Sequence, residues 1–390
     1  MDKVNRLILY DTCNFRDYPV GGQVTSIRNF LRYLAEDHPR RCGDVLLAGV
    51  SCDPAEVGRI RKIETAGGSF SFLAVTQAEA DLGNVKKSLR LEYVKGLWKY
   101  RRLIAPGKED VNYIHTPEAF AAVRLMRPGA VCYVFSHGTY LNMYKRVRFF
   151  KKAPLVRRLF QSFLMQVIRK STAVFALDSE TMEDYAPYNP RIIHVGNSIV
   201  CRPWKERPLP KEPVRLLYAG RLSAVKNVGP LIEAAKDWEK DCTLCILGDG
   251  EEREALEKKA GGSGRIRFLG AVTPEEVQRF MEESDMLVMN STFEGIPMII
   301  LEAISTGLPV VTTDVGGIKE VLTYGRDSEV TDGSILEIRA AMSRILSGYA
   351  GYSRAAWEKS GQFDYRKVNR KVFAVLNESL RWERSGDDSQ

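Results

Sequence analysis

Four charged residues and a glycine pair carry most of the chemistry this sequence offers. Arg221 and Lys226 follow the strand-like run VRLLYAG (Val214–Gly220), in a loop that precedes a helix. Two cations at the C-terminal end of a strand suit a diphosphate, because arginine grips its oxygens in a fork and lysine adds a point charge. Glu294 and Glu302 stand on either side of a helix start. Glu294 lies in the polar turn before it, and Glu302 lies more than a turn into the helix that Pro297 opens. In open α/β sheets ligands settle outside the carboxyl ends of the strands. Glu294 is therefore expected at the rim of a ligand crevice, with Glu302 within reach of the same ligand if its helical face is turned that way. The free amides at the helix start favour an anion there. Gly21 and Gly22 sit between the first strand and the first helix, where backbone amides can approach a phosphate closely.

Histidine is scarce, with four in the chain. His115 ends one apparent strand (NYIHTPEAF) and His137 the next (YVFSHGTY), while His194 ends an apolar stretch (RIIHVGN). His137 is the preferred functional one, because its Ser-His-Gly-Thr-Tyr turn places it at the crevice rim; His115 is the competitor. His38, beside Pro39 in a polar stretch, is expected at the surface.

The elements that must position these groups read as alternating strands and helices. MLVM (Met286–Met289), a polar turn, a helix from Pro297 to Gly307 and LPVVT form a strand–loop–helix–strand unit. In the first half, apolar runs at 6–11, 45–50, 69–75, 111–115, 131–135 and 172–177 are separated by helical segments such as Leu82 to Leu103. This alternation predicts a Rossmann-like domain. Further on, 244–247 and 266–270 read as strands and 228–238, 275–283, 318–322 and 363–380 as helices. Gly248 and Gly250, in the turn after the first of those strands, are expected to make room for a ligand. CRPWKERPLPKEP (Cys201–Pro213), with four prolines and many charges, has the composition of an interdomain linker.

Bulk properties narrow the class. The chain has 390 residues, 44% hydrophobic and 27% charged, as a two-domain globular protein would. No run of about 18 apolar residues occurs, so no spanning helix is expected, and the N-terminus does not resemble a signal peptide. Seven scattered cysteines suggest reduced thiols in a cytoplasmic protein. The Cys242–Cys245 pair has no second pair to complete a zinc site and reads as strand core. The net charge is +8. Residues 119–177 contain no acidic residue and eleven basic ones. Within 145–170, apolar positions fall at helical spacing among the cations. That stretch reads either as a core-facing helix with a solvated basic face or as a patch for an anionic membrane surface. Nucleic acid is not expected, since no nucleic-acid module is present.

The string STFEGIP (Ser291–Pro297), then LEA (Leu301–Ala303) and GLPVV (Gly307–Val311), with Gly220-Arg221-Leu and Lys226-Asn227 before it, resembles the C-terminal signature of the retaining GT-B glycosyltransferases of family 4, the glycosyl transferases group 1. The resemblance implies an α/β fold: two Rossmann-like β/α/β domains facing across a cleft, with a C-terminal helix returning to the first. The domains expected are residues 1–200 for the acceptor, a linker at 201–213, 214–362 for a nucleotide-sugar, and a helix within 363–390. It also implies roles. Glu294 contacts the transferred sugar, beside Gly295 and Ile296; Glu302 holds the ribose; Arg221 and Lys226 hold the diphosphate. The Gly21-Gly22 loop closes over that diphosphate, the nucleobase packs beside the stretch containing Leu269, and His137 matches a donor-contacting histidine by position.

Two cations, a phosphate-friendly loop and two carboxylates together describe a nucleotide-sugar. The implied function is a retaining transferase that moves a sugar from a nucleotide-sugar, UDP before GDP, to a glycan or lipid-linked acceptor. No D-x-D motif occurs, so no obligatory metal and no cofactor beyond the co-substrate are expected. The implied location is cytoplasmic or peripheral at the inner face of the plasma membrane. The rivals are a UDP-sugar 2-epimerase on the same fold and a non-catalytic GT-B binding subunit.

Overall fold

Leu7–Tyr10 (β1), Val45–Ser51 (β2) and Val111–Ile114 (β5) are buried along their whole length. Strands covered by helices on both faces need this unbroken apolar character. They belong to the first of two units in a computed structural model that describes residues 5–19, 21–79, 88–138 and 154–382. Unit 1 is Met1–Ser198 with Tyr365–Gln390, and unit 2 is Ile199–Asp364.

In unit 1 the sheet order is β3-β4-β2-β1-β5-β6-β7-β8. The remaining strands are Ile60–Thr65 (β3), Gly68–Gln77 (β4), Val131–Ser136 (β6), Ala173–Ala176 (β7) and Ile192–His194 (β8). All neighbours run parallel except β3 and β4, which form an antiparallel hairpin through Ala66 and Gly67. β3 is absent from the sequence reading because IRKIET is charged and buries only Ile63 and Thr65, as an edge strand can. The helices are Gly22–Asp37 (α1), Leu89–Lys99 (α2), Arg101–Ile104 (α3), Glu118–Met126 (α4), Pro154–Lys170 (α5) and Ser179–Tyr185 (α6). The expected helix Leu82–Leu103 is α2 and α3, split at Tyr100; its residues 82–87 lie outside the described residues.

Successive side chains of β1 face opposite layers. Leu7 and Leu9 pack with Ile27 and Phe30 of α1 and with Val372, Phe373 and Leu376 of the C-terminal helix Tyr365–Leu380. Ile8 and Tyr10 pack with Tyr93 and Leu97 of α2, Phe120 of α4 and Val167 of α5. The C-terminal helix is tied in further where Tyr365 donates to Glu36 (2.5 Å) and Trp382 donates to the Asn5 carbonyl (2.8 Å). His38 is not a free surface residue: it ends α1, and its ring lies 4.1 Å from that of Phe373.

Unit 2 has one parallel sheet in the order β11-β10-β9-β12-β13-β14. Its strands are Val214–Ala219 (β9), Cys242–Leu247 (β10), Ile266–Gly270 (β11), Met286–Val288 (β12), Val310–Thr313 (β13) and Ser328–Thr331 (β14). The helices are Gly229–Lys236 (α7), Arg253–Ala260 (α8), Pro274–Glu283 (α9), Met298–Ser305 (α10), Ile318–Val321 (α11), Ile335–Ser347 (α12) and Tyr349–Ser360 (α13). Thr273 starts α9 with a reciprocal capping box to Glu276. Pro297 caps α10 from just outside rather than occupying its first turn.

The proline-rich stretch 201–213 differs from the free linker that its composition suggests. The units divide between Ser198 and Ile199, and the stretch runs over unit 2. Arg207 donates to the carbonyls of Met281 (2.9 Å), Thr306 (3.1 Å) and Ser284, and to the Tyr349 hydroxyl (3.2 Å). Trp204 packs on Trp357 with ring centroids 5.4 Å apart. Among the described residues no helix is long and apolar enough to cross a membrane. All seven cysteines are free.

Candidate functional site

The strand order of unit 2 reverses between β9 and β12, and the loops that follow these two strands open side by side. Such a switch point is where an open α/β sheet leaves a crevice. Lys226 leaves the β9 loop at the end of a short turn, Ala224–Lys226, and Asn227 follows in a left-handed conformation at φ 46. The β12 loop holds that turn in place. Thr292 donates its backbone N–H (2.8 Å) and its hydroxyl (3.1 Å) to the Val225 carbonyl. The Asn290 amide donates to the Asn227 carbonyl at 3.3 Å.

This stitching brings Lys226 and Glu294 together. Lys226 Nζ donates to Glu294 Oε1 at 2.5 Å, and Ser291 Oγ donates to the same oxygen at 2.7 Å. The Glu294 side chain is 9% exposed and that of Lys226 24%. A carboxylate so buried needs both donors to offset its desolvation. Beneath it, Thr313 donates to the Ser291 carbonyl at 2.6 Å. Gly316 turns at φ +60 so close below that an added Cβ would lie 2.0 Å from the Glu294 carbonyl oxygen. Only glycine permits that approach at this φ.

Glu302 lies in α10, partly buried. Burial pushes its carboxyl up to about 7, with Arg202 opposing. Among the described residues no side chain hydrogen-bonds this carboxyl. Arg221 is elsewhere: its side chain is 74% exposed and pairs with Glu251 at 3.1 Å. The structure thus brings Lys226 and Glu294 together and leaves Arg221 on the loop surface. Gly248 needs to be glycine for a reason other than ligand room: at φ +124 an added Cβ would meet the Gly220 carbonyl oxygen at 2.0 Å. Leu269 is partly buried in β11 beside Gly270, whose carbonyl accepts from Gly248 N–H at 2.7 Å. Gly295 and Ile296 are partly exposed in the loop before α10. Gly295 O accepts from Gly317 N–H at 3.0 Å.

Unit 1 has its own switch point, between β1 and β5. Gly21 precedes α1 with nothing within 4 Å of an added Cβ, and Gly22 is the first residue of that helix. Asp11 follows β1 and accepts from the Gln23 amide. Burial raises its carboxyl to about 6, with the Gln23 hydrogen bond the largest opposing cause. His115 and His137 follow β5 and β6 as adjacent partners, with His115 Nδ1 2.9 Å from His137 Nε2. Burial holds His115 well below the usual imidazole value, and burial followed by the Arg90 charge takes His137 to about 3.

Of the basic stretch 145–170, residues 145–153 lie outside the described residues. α5 buries Leu164, Val167 and Ile168 and exposes Leu155, Val156 and Leu159. The core-facing reading therefore holds for its C-terminal half.

Sequence reasoning missed Ser291, Asn290 and Thr292, which build the cradle around Glu294 and Lys226. The available signal was a hydroxyl three residues before Glu294 within a largely polar turn between a strand and a helix. It also missed Asp11, which follows the first strand at the carboxyl end where an open α/β sheet leaves its crevice.

Residues 213–348 match the family model described as Glycosyl transferases group 1. This stretch is a glycosyl transferases group 1 domain. Its curated relatives include the lipopolysaccharide 1,6-galactosyltransferase of Salmonella typhimurium, 29% identical over 174 residues, which are 42% of this chain and 46% of that protein. The glycogen synthase of Mycobacterium tuberculosis is 27% identical over 227 residues, 55% of each chain. The match to the sulfoquinovosyl transferase SQD2 of Arabidopsis thaliana spans 42% of this chain and 33% of that protein at 25% identity. The chain thus spans roughly a third to a half of the curated relatives it matches.

Two solved structures extend the likeness beyond the group 1 domain. A sucrose-phosphate synthase from Thermosynechococcus elongatus aligns with a TM-score of 0.76 at 14% identity, covering 97% of this chain and 99% of that one. Anabaena HepE in complex with UDP-glucose aligns at 0.66 and 16% identity, covering 96% and 100%. At such identities they establish the fold, two Rossmann-like units of the GT-B class with the C-terminal helix in the first.

Proposed function

We propose that the protein is a retaining, metal-independent glycosyltransferase that moves a hexose-type sugar from a UDP-sugar to a glycan or lipid-linked acceptor. The observation that carries this reading is the Lys226–Glu294–Ser291 cluster at the β9/β12 switch point. A carboxylate with one oxygen tied to a lysine and a hydroxyl keeps its other oxygen for a sugar hydroxyl. The lysine, a quarter exposed, can shift part of its charge onto a departing diphosphate, the preorganised electrostatic help that such a leaving group requires. Arg221, on a mobile-length side chain in the same β9 loop, adds a fork for the remaining oxygens. Glu302 accepts from ribose hydroxyls once ionised.

In the reaction the acceptor hydroxyl attacks the anomeric carbon on the leaving group's own face. The bond from that carbon to the diphosphate oxygen breaks, and the diphosphate takes the hydroxyl proton. Glu294 orients the sugar and stabilises positive charge at the anomeric carbon; it forms no covalent bond. Relatives named for galactosyl transfer and glycogen synthesis, and a fold neighbour bound to UDP-glucose, support a glycosyl donor of the UDP class. The exposed Leu155, Val156 and Leu159 of α5, beside Arg157 and Arg158, support contact with an anionic membrane on the cytoplasmic side, where a lipid-linked acceptor would lie.

The test is a thermal-shift and sugar-release screen against UDP-, GDP- and ADP-sugars with EDTA present. One UDP-sugar is expected to raise the unfolding temperature and to be slowly hydrolysed. Lys226→Ala and Glu294→Ala each abolish transfer with the fold intact; near-wild-type activity in either, or binding only when a divalent metal is added, overturns the reading.

A further inference from the structure

The end of β6 in unit 1 holds a contact whose proton has only two possible homes. His115 Nδ1 and His137 Nε2 lie 2.9 Å apart. Two bare nitrogens or two N–H groups would repel at that distance, so in the neutral pair one ring donates and the other accepts. The choice fixes the second nitrogen of each ring. If His137 donates through Nε2–H, His115 must carry its own proton on Nε2. If His115 donates through Nδ1–H, its Nε2 is bare and His137 carries its proton on Nδ1.

The surroundings of His115 separate the two. It is 2% exposed, its ring stacked on Phe135 at 5.0 Å and set edge-on to Tyr113 at 4.5 Å. Its Nε2 is buried and, among the described residues, has no hydrogen-bond partner. A proton there would be a buried N–H without an acceptor, the rarest kind of orphan in folded proteins. A bare nitrogen in the same place is an acceptor only. We infer that His115 is a positioning residue that donates through Nδ1–H and thereby holds His137 as the Nδ1–H form, so that unit 1 presents a neutral hydrogen-bond donor to a hydroxyl oxygen of a carbohydrate.

Two further features fit. The turn after His137 is pinned where Ser136 Oγ donates to the Gly138 carbonyl at 2.7 Å. Burial keeps both rings uncharged at ordinary pH, with His137 held at about 3. A cationic ring would seek the diphosphate; a neutral N–H is suited to a sugar oxygen. The carbohydrate ligand rests on the proposed function, while the placement of the proton does not.

The experiment is a long-range 1H–15N correlation on 15N-histidine-labelled protein at neutral pH, with peaks assigned by His115→Phe and His137→Phe. His137 is expected with Nδ1 protonated and Nε2 bare; the reverse pattern overturns the inference. Kinetics supply the second arm. His115→Phe, which cannot donate, lowers kcat/KM for the sugar donor about tenfold, as losing one neutral hydrogen bond would. His115→Asn, whose amide nitrogen replaces Nδ1, restores most of the loss, and UDP affinity is the same in all three proteins. An unaffected His115→Phe enzyme overturns the inference. The expected spectrum in a protein that turns over no nucleotide-sugar overturns the glycosyltransferase reading instead and supports the assignment of the proton.

Discussion

Replacing Lys226 by methionine keeps the length of the side chain and removes its charge. It leaves Glu294 with Ser291 Oγ as its remaining donor in a position only 9% exposed. Removing one partner of a fully buried ion pair costs about 3–5 kcal/mol. Lys226 is a quarter exposed and its partner can draw in water, so a cost nearer 2 kcal/mol is expected for unit 2. Glu294→Gln is milder, about 1 kcal/mol, because the amide oxygen still accepts from Ser291 and the freed lysine can hydrate. With both changes the unpaired charge is gone, and the double variant should fall about 1–1.5 kcal/mol short of the sum. Urea unfolding followed by tryptophan fluorescence reads this, since Trp204, Trp238 and Trp357 lie in unit 2. Single costs that add to within about 0.5 kcal/mol would refute a coupled pair. Coupling of the expected size with transfer intact in Lys226→Met would refute the catalytic argument, leaving the pair a strut between the two loops.

Three further outcomes follow from the same geometry. Because burial sets the Glu302 carboxyl at about 7, affinity for a UDP-sugar, whose phosphates do not titrate there, should weaken as pH falls through that value. Titration calorimetry reads it, and Glu302→Gln should abolish the dependence. Gly316→Ala, at φ +60 with a Cβ directed at the Glu294 carbonyl, should lower kcat at least tenfold, whereas Gly325→Ala, at φ +77 in open space, should cost only about 1–2 kcal/mol of stability and no turnover. Asp11 titrates near 6 when folded against 3.8 for the ordinary group, so the folded state binds the extra proton between those values and stability falls as pH rises through them. Asp11→Asn should therefore flatten the unfolding profile over that window and stabilise the protein at neutral pH.

The sequence was most legible where burial and chemistry coincide. β1, β2 and β12 are apolar because helices cover both faces, so they read as short unbroken runs. Lys226 and Glu294 could be paired through the strings that surround them, though 68 residues separate them. β3 was hidden because its two buried positions, Ile63 and Thr65, make no apolar run among the charges of IRKIET. Residues 323–362 had no assignment: β14 is four residues long, and the α13 sequence YAGYSRAAWEKS buries only Tyr349, Ser353, Ala356 and Ser360. The contact between His115 and His137 was illegible for another reason. Each ends its own strand, and only the parallel pairing of β5 with β6 sets one ring beside the other.

The composition of unit 1 from two separate chain segments has a consequence for biosynthesis. Unit 2 is one continuous segment, complete once Asp364 has been made. Unit 1 begins first but lacks its closing helix until Leu380 leaves the ribosome, and until then the α1 face that receives Val372, Phe373 and Leu376 stays uncovered. Unit 2 thus needs nothing encoded after Asp364, whereas unit 1 waits for residues encoded after unit 2. A chain cut just after residue 364 would join a whole second unit to an N-terminal half with an open apolar flank, the state in which a chaperone would find most to hold.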